Sequence, residues 1–504
     1  MEETDQISKL PEPVLDHILS FLDIKDAAKT SILSKVWNSI WAYLSSLDFG
    51  DNYLHKSKNT VDLILANRLN QNTSIKRFKV NLPNYRFKAL HDWIKVLITC
   101  NIKELFIDVG VYTHNKFPEA IFSAKSLNVL SLRGFKLELP SDHRVKFYSL
   151  RELHLEDSFL DEKLLQAIHA ICSDLKVLSL KRFHGLISLQ VAGTLPKLRT
   201  VRLKFCPPKF KKVDIVAPNL KDLYISSFNL DLHVIEITAC KSLKCLKLAA
   251  VAVNDKWLER LLPNLPNLEV IYLDHCQSLN FVKISNSRVK FLKVVACSHL
   301  IAVDMDDAPN LLRFSYDIRH GRDGLLGYFE PSPIFKLKAS RLLEVMTKLI
   351  PDPEALDTDW YSKLTESIGN FNKSRAITLS CDSDKVIIIP KHMRENLVPP
   401  LNGSKLTELD QGNMLIFQKH WLRFLAPLFL ISKFTYRDAD DDEDDKPCCA
   451  SLAWKCWSHE LKRVQLQNFT RTELEKLRNY FLKISDTLSI IEDSPECSLL
   501  TSTQ

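Results

Sequence analysis

The sequence predicts an α/β chain in two parts: a short helical module, then a long solenoid, a curved parallel sheet with helices or irregular returns on its convex side. Three observations predict it. An apolar-x-x-apolar-x-apolar motif recurs with starts at Ile75, Ile102, Leu127, Leu150, Leu175, Leu198, Leu220, Leu243, Leu268, Val289 and Leu311, at gaps of 21 to 27 residues. Ahead of the motif, apolar side chains follow helical rather than strand spacing. The chain has only 11 glycines in 504 residues, which argues against an architecture built on Gly-rich phosphate loops.

The helical module comes first. Pro11 sits where a first-turn proline is tolerated, since its missing N–H would have no helical partner. Val14, Leu15, Ile18, Leu19 and Leu22 then make one apolar stripe. Asp26 is placed to cap a second short helix through Ala27, Ala28, Ile32 and Leu33. Ser34 is placed to cap a third, which sets Trp37 and Trp41 four residues apart on one face. Three such helices are too few to hide Leu10, Ile18, Leu19, Leu22, Trp37 and Trp41 together, so the spacing predicts a covering partner. A plain helical cap on the next domain would use the same stripe.

Leu10-Pro11-Glu12, Ile18-Leu19-Ser20-Phe21-Leu22, Lys25-Asp26-Ala27-Ala28, Thr30-Ser31 and Leu33-Ser34-Lys35-x-Trp37 resemble the plant-type F-box. The resemblance implies that Leu10, Pro11, Ile18, Leu19, Leu22 and Trp37 bind a Skp-type adaptor, and through it a cullin and a RING subunit. One position departs from the family: Val36 stands where arginine is usual before the first tryptophan.

The repeat starts justify the solenoid. Their spacing matches the leucine-rich repeat, in which one unit cannot bury its own leucines and neighbours stack into a continuous core. Four starts share a lead-in, Pro196-Lys-Leu198, Pro218-Asn-Leu220, Pro266-Asn-Leu268 and Pro309-Asn-Leu311, where proline forces an extended entry. Cys206, Cys276 and Cys297 each fall eight residues after a start and read as small turn fillers. By period-two alternation the residues between the leucines point to the concave side. Across repeats they give a basic stripe with aromatics beside it: Lys181, Arg202, Lys204, Tyr224, Lys247, Tyr272, Phe291 and Lys293. This stripe is the candidate site for an acidic or phosphorylated protein segment, since arginine can hold such groups bidentately. The alternative is a solvated strand face.

Beyond Leu311 the repeats loosen. Strands are expected at 376–379, 406–409, 431–436 and 461–466, with helices at about 340–349 and 353–371 and a buried helix over 414–432. Residues 438–445 hold seven acidic side chains in eight and predict a disordered loop. The tail at 459–491, with Leu461-Lys-x-Val464, Asn468-Phe469, Glu473 and Tyr480-Phe481-Leu482, resembles the FBD region of plant F-box/leucine-rich-repeat proteins. It would cap the open end of the stack. The resulting domains are 1–45 F-box, 46–74 linker and N-terminal cap, 75–320 repeats, 321–437 degenerate repeats with a helical insertion, 438–447 acidic loop and 448–504 FBD-like cap.

Composition excludes more than it specifies. A formal charge of +7 over this length does not imply nucleic acid. There is no secretory start and no apolar run of about 18 residues, so no membrane partner is expected and the setting is intracellular, nucleus or cytoplasm. The segment Gly321-Arg-Asp-Gly324-Leu-Leu-Gly327 lacks the Gly-Lys-Ser/Thr of a phosphate loop. Cys448, Cys449, Cys456 and His459 fit no zinc template. No metal, no cofactor and no catalytic residue is expected, so the chain is not read as an enzyme. The resemblance implies a non-catalytic substrate receptor of a Skp–cullin–F-box ubiquitin ligase. Its rivals are a leucine-rich-repeat scaffold and a receptor for a hormone or inositol phosphate.

Overall fold

A computed structural model describes residues 7–317 apart from 51–59, 83–86, 111–114, 194, 228–231, 233, 287 and 306–307; beyond 317 it describes chiefly the backbone of a series of strands. The chain forms two compact units, Met1–Leu243 and Lys244–Gln504.

In the first unit three helices lead: α1 (Glu12–Leu19), α2 (Ile24–Thr30) and α3 (Lys35–Tyr43). Pro11 occupies the N-cap of α1 and Pro13 its first turn. The cap of α2 is Asp23, not Asp26: the Asp23 carboxylate accepts from the Asp26 N–H at 2.8 Å. Ser34 caps α3 as expected, accepting from the Trp37 N–H at 3.3 Å. Helix α2 stops at Thr30, so Ile32 and Leu33 lie in a turn rather than on a helix. The hydroxyls of Thr30 and Ser31 donate back to Ala27 and Ala28 carbonyls at 2.7 and 2.6 Å, the local competition that ends helices at such residues.

The solenoid strands follow: β1 (Ser46–Phe49), β2 (Arg77–Asn81), β3 (Glu104–Asp108), β4 (Val129–Arg133), β5 (Glu152–Glu156), β6 (Val177–Lys181), β7 (Thr200–Lys204) and β8 (Asp222–Ser226). They pair in parallel, each with the next, and the motif residues stay in register; Val201 lies beside both Leu178 and Leu223. Every strand from β2 onward begins two residues after its motif start. Strand β1 was not expected, although Leu44-Ser-Ser-Leu47-Asp-Phe49 carries the same motif. From Ile75 to Ile225 no motif residue is more than 2% exposed.

The returns hold helices α4 (Thr60–Asn70), α5 (Phe87–Thr99) and α6 (Glu162–Ile171). They also hold a second parallel sheet of Ser188–Ala192, Lys212–Val216 and Val234–Thr238. Phe183 and Phe210, edge to face at 5.1 Å, are both fully buried and help fill this unit's core. Immediately after β4 to β7 the chain turns through a left-handed residue: Gly134, Asp157, Arg182 and Phe205. Three of these four are not glycine, a conformation that costs roughly 1 kcal/mol or more per residue.

The second unit repeats the plan with β9 (Cys245–Ala249), helix α7 (Asp255–Leu261), β10 (Val270–Asp274), β11 (Phe291–Val295) and β12 (Arg313–Asp317). Parallel pairing continues through β13 (Glu344–Leu349), β14 (Ala376–Cys381), β15 (Leu406–Gln411), β16 (Pro427–Ile431), β17 (Arg463–Gln467) and β18 (Ser489–Asp493). Two expectations are corrected here. The stretch read as a helix at 340–349 contains β13: Leu342, Val345, Met346 and Leu349 have helical spacing, but Val345, Thr347 and Leu349 alternate, and β13 pairs in parallel with β12. The stretch 414–432 contains β16, which replaces the end of the expected helix and lies before the strand expected at 431–436. The expected helix at 353–371, the acidic run at 438–445 and the Cys448–His459 cluster lie outside the described residues.

Candidate functional site

The helical module has a small core. Leu15, Leu19, Ile24, Ala27, Trp37 and Ile40 are buried in it. Of the six residues expected to meet an adaptor, Leu10 and Pro11 are exposed and Ile18 and Leu22 are half-buried. Leu19 and Trp37 are corrected: at 0% and 6% exposure they hold the helices together and present almost no surface. The open apolar surface is carried instead by Phe21, Ile32 and Leu33, exposed by 77%, 85% and 71%, with Leu10, Val14 and Val36 also exposed. Sequence reasoning missed these three because it placed Ile32 and Leu33 on a helix stripe. The signal was the Thr30-Ser31 pair, which favours ending α2 before them.

The module is tied to the first solenoid strands. The Ser45 N–H and hydroxyl donate to the Asp16 carboxylate at 3.1 and 2.8 Å, and Lys76 approaches Asp16 at 3.7 Å. Arg68 on α4 is only 5% exposed. Its guanidinium donates to the carbonyls of Trp41, at 3.1 Å, and of Ala42. Both carbonyls lie in the last turn of α3, where a cation is favoured, and the Trp41 carbonyl also accepts from the Leu44 N–H at 3.3 Å. Burial pulls the Arg68 pKa below its usual value, opposed by the Asp16 charge.

On the open face of the first unit, Arg202, Lys204 and Tyr224 come together. Arg202 is in register with Tyr224, and the Lys204 ammonium lies 5.0 Å from the Tyr224 ring centroid. Such a contact adds about 0.5–1 kcal/mol when exposed. Arg202 is exposed. Lys181 is in register with Lys204 but pairs with Glu156 at 2.9 Å. Lys181 thus belongs to a mixed-charge network with Arg133, Glu156, Asp157 and Arg182. Arg182 donates to Asp157 at 2.5 and 2.8 Å and also to Glu156, and Arg133 donates to Asp157 at 3.0 Å. The Arg182 hydrogen bond, against partial burial and with help from Arg133, holds the Asp157 carboxyl below its usual range. Asp157 and Arg182 are the left-handed turn residues; sequence reasoning looked only between the leucines and missed them.

In the second unit, Lys247, Tyr272 and Lys293 lie in one row of the ladder. Lys293 sits 5.5 Å from the Tyr272 ring centroid, and the Tyr272 hydroxyl donates to Asp274 at 3.2 Å. Phe291 stands in the adjacent row, half-buried between Val270 and Arg313.

The cysteines are structural in character. Cys206, Cys276 and Cys297 are buried and free. The Cys276 thiol donates to the Leu248 and Asp274 carbonyls at 3.7 and 3.6 Å, and Cys297 to Val295 at 3.5 Å. Burial pushes the Cys206 thiol up to about 12, away from the thiolate that reactivity needs. Among the described residues no group of three or more His, Cys, Asp or Glu side chains is placed to hold a metal ion. No described helix is long and apolar enough to cross a membrane.

Comparison with known proteins gives the class. The F-box domain model matches residues 7–49. The repeats of the FBD-associated F-box protein At5g56370 match 90–240, and the leucine-rich-repeat domain of At1g61320/AtMIF1 matches 232–326. The F-box/FBD/LRR-repeat protein At5g56420 of Arabidopsis thaliana is 30% identical over 237 residues, 44% of this chain and 56% of its own. The FBD-associated F-box protein At5g38590 of the same plant is 32% identical over 185 residues, 35% of this chain and 44% of its own. The matches span about half the length of such relatives. A leucine-rich-repeat protein of Leptospira interrogans aligns over 84% of this chain and 98% of its own at 15% identity and a TM-score of 0.34. The chain thus resembles plant F-box/leucine-rich-repeat proteins in its matched segments, with FBD-associated F-box proteins among its relatives.

Proposed function

We propose that this chain is the substrate-recognition subunit of a Skp–cullin–F-box ubiquitin ligase, acting in the nucleus or cytoplasm. The observation that carries the reading is the exposure of Phe21, Ile32 and Leu33, the most open apolar side chains of a module whose Leu15, Leu19, Ile24, Trp37 and Ile40 form a packed core. It lies within the stretch matched by the F-box model. Several large apolar side chains left this exposed on so short a module suit a protein contact. The adaptor covers it, and the adaptor brings the cullin and the RING subunit.

The solenoid holds a protein substrate. In the first unit Arg202, Lys204 and Tyr224 offer two cations and an aromatic face; in the second, Lys247, Tyr272 and Lys293 do the same. Each cluster suits an acidic or phosphorylated segment. The chain contributes no side-chain chemistry to ubiquitin transfer. Its contribution is proximity, which converts an encounter between substrate and ubiquitin carrier into an effectively intramolecular one.

Co-purification with a Skp-type adaptor tests the reading. The wild type is expected to retain the adaptor, and a Phe21→Ser, Ile32→Ser, Leu33→Ser variant to lose it while remaining folded. Equal retention by both proteins would refute it. An Arg202→Glu, Lys204→Glu variant should keep the adaptor and lose captured substrate.

A further inference from the structure

A feature outside the open-face clusters runs along the first unit. One residue before each strand, the backbone steps from repeat to repeat through short hydrogen bonds. The Arg151 N–H donates to Asn128 O at 2.7 Å, Lys176 to Arg151 at 2.7 Å, Arg199 to Lys176 at 2.8 Å and Lys221 to Arg199 at 2.7 Å. The rim of the sheet therefore stacks Arg151, Lys176, Arg199 and Lys221 in consecutive repeats, at about 4.8 Å per step. Lys76 and Lys103 occupy the same position in earlier repeats. Arg151, Arg199 and Lys221 are exposed and Lys176 is half-exposed.

No acid stands in this row. The acids beside it in sequence have partners of their own: Glu152 with His154 at 3.0 Å, Asp174 with Lys197 at 2.6 Å and Asp222 with the Thr200 hydroxyl at 3.4 Å, although the Asp174 charge also acts on Arg151 and Lys176. None of the four cations makes an ion pair among the described residues.

The second unit supplies the control. Its equivalent positions are Lys244, Glu269, Lys290 and Leu312, linked by the same backbone steps. There Glu269 bridges both lysines, at 3.1 and 2.8 Å. That row neutralises itself. Like charges side by side on neighbouring strands repel, so the first unit's row carries a cost that the second unit's row avoids.

We infer that the rim formed by Arg151, Lys176, Arg199 and Lys221 is a docking edge for a short, extended acidic peptide of a partner protein. Four rungs span about 14 Å, the length of about five extended residues at about 3.3 Å each. An acidic side chain on every second residue would then approach the row from its solvent side. The flanking carboxylates and the absence of an aromatic in the row disfavour a long nucleic acid, which wants stacking platforms beside its cations. The inference goes beyond the receptor reading and does not need it, since no residue of the F-box or of the open-face clusters takes part.

Fluorescence anisotropy on the full chain tests it, with a labelled Glu/Asp octapeptide, a Ser/Gly octapeptide and an oligo-dT of equal length. The acidic peptide should bind, and bind more weakly as salt rises from about 50 to about 200 mM. Arg151→Glu, Lys176→Glu, Arg199→Glu should lose about tenfold or more in affinity, and Lys244→Glu, Lys290→Glu should lose little. If the triple charge reversal fails to fold, the Gln substitutions at the same three positions give the same reading without new charge. Absence of acidic-peptide binding at low salt would overturn the inference. So would unchanged affinity in the triple variant, or tighter binding of the oligonucleotide than of the peptide. Adaptor binding should be equal in all these proteins, so failure here is distinguishable from failure of the receptor reading.

Discussion

The F-box and the first solenoid unit treat apolar side chains in opposite ways. In the solenoid, every motif residue from Ile75 to Ile225 is at most 2% exposed, because each strand is covered by the next. In the F-box, Phe21, Ile32 and Leu33 are more than 70% exposed although Leu15, Leu19 and Trp37 a few residues away are buried. The difference is one of closure. A stack hides its leucines against itself, whereas three short helices close a small core and leave the remainder outside. Apolar surface that is not needed for folding is available for binding.

Substitutions of one residue type in the two regions should therefore have different consequences. Leu178→Ala in β6 should cost about 2–5 kcal/mol, the range for a buried leucine that leaves a cavity. Leu33→Ala should leave stability within about 0.5 kcal/mol and weaken adaptor binding. Urea unfolding of both variants makes the measurement. A stable Leu178→Ala or a strongly destabilised Leu33→Ala would break the comparison.

His169 on α6 sharpens the solenoid side. Burial lowers its pKa to about 4, and its Nε2 has no hydrogen-bond partner. The folded state thus resists the proton that the unfolded chain takes up near 6.5. Stability linked to this group is complete above about pH 6.5 and falls as pH drops toward 4, by about 3 kcal/mol at most. His169→Leu should flatten that part of the stability-versus-pH curve. An unchanged slope would mean that His169 is not the titrating group.

Arg68 tests the join between the two regions. Arg68→Met keeps the aliphatic stem but removes the guanidinium from the Ala42 carbonyl and leaves the Trp41 carbonyl only the Leu44 N–H, and should cost about 1–3 kcal/mol. Hydrogen exchange should rise most in α3, while the strands from β3 onward keep their protection. Uniform loosening of both regions would argue against a local anchor.

Much of this fold was legible in the sequence, for a physical reason. The repeat motif states which residues face the core, and stacking fixes the register, so strands β2 to β12 fall two residues after each motif start. The first repeat was hidden because Leu44 ends the F-box helix and begins the motif at once. After Leu342 the segment carries both a helical pattern (Leu342, Val345, Met346, Leu349) and a strand alternation (Val345, Thr347, Leu349), and the neighbouring strand decides between them. The docking surface was less legible. Periodicity shows that an apolar residue lies on a stripe, not whether that stripe faces inward, so Leu19 and Trp37 were placed on the surface and Phe21, Ile32 and Leu33 were passed over. The charge network around Asp157 and Arg182 escaped for a related reason: those residues sit at the turn, outside the strand alternation.

The most direct test of the account is a calorimetric titration of a Skp-type adaptor into the full chain and into Phe21→Ser, Ile32→Ser, Leu33→Ser. The open surface predicts a saturable interaction with a negative heat-capacity change in the wild type, the mark of apolar burial, and its loss in a variant that still unfolds cooperatively. Undiminished adaptor binding by that folded variant would contradict the claim that this surface is the docking face.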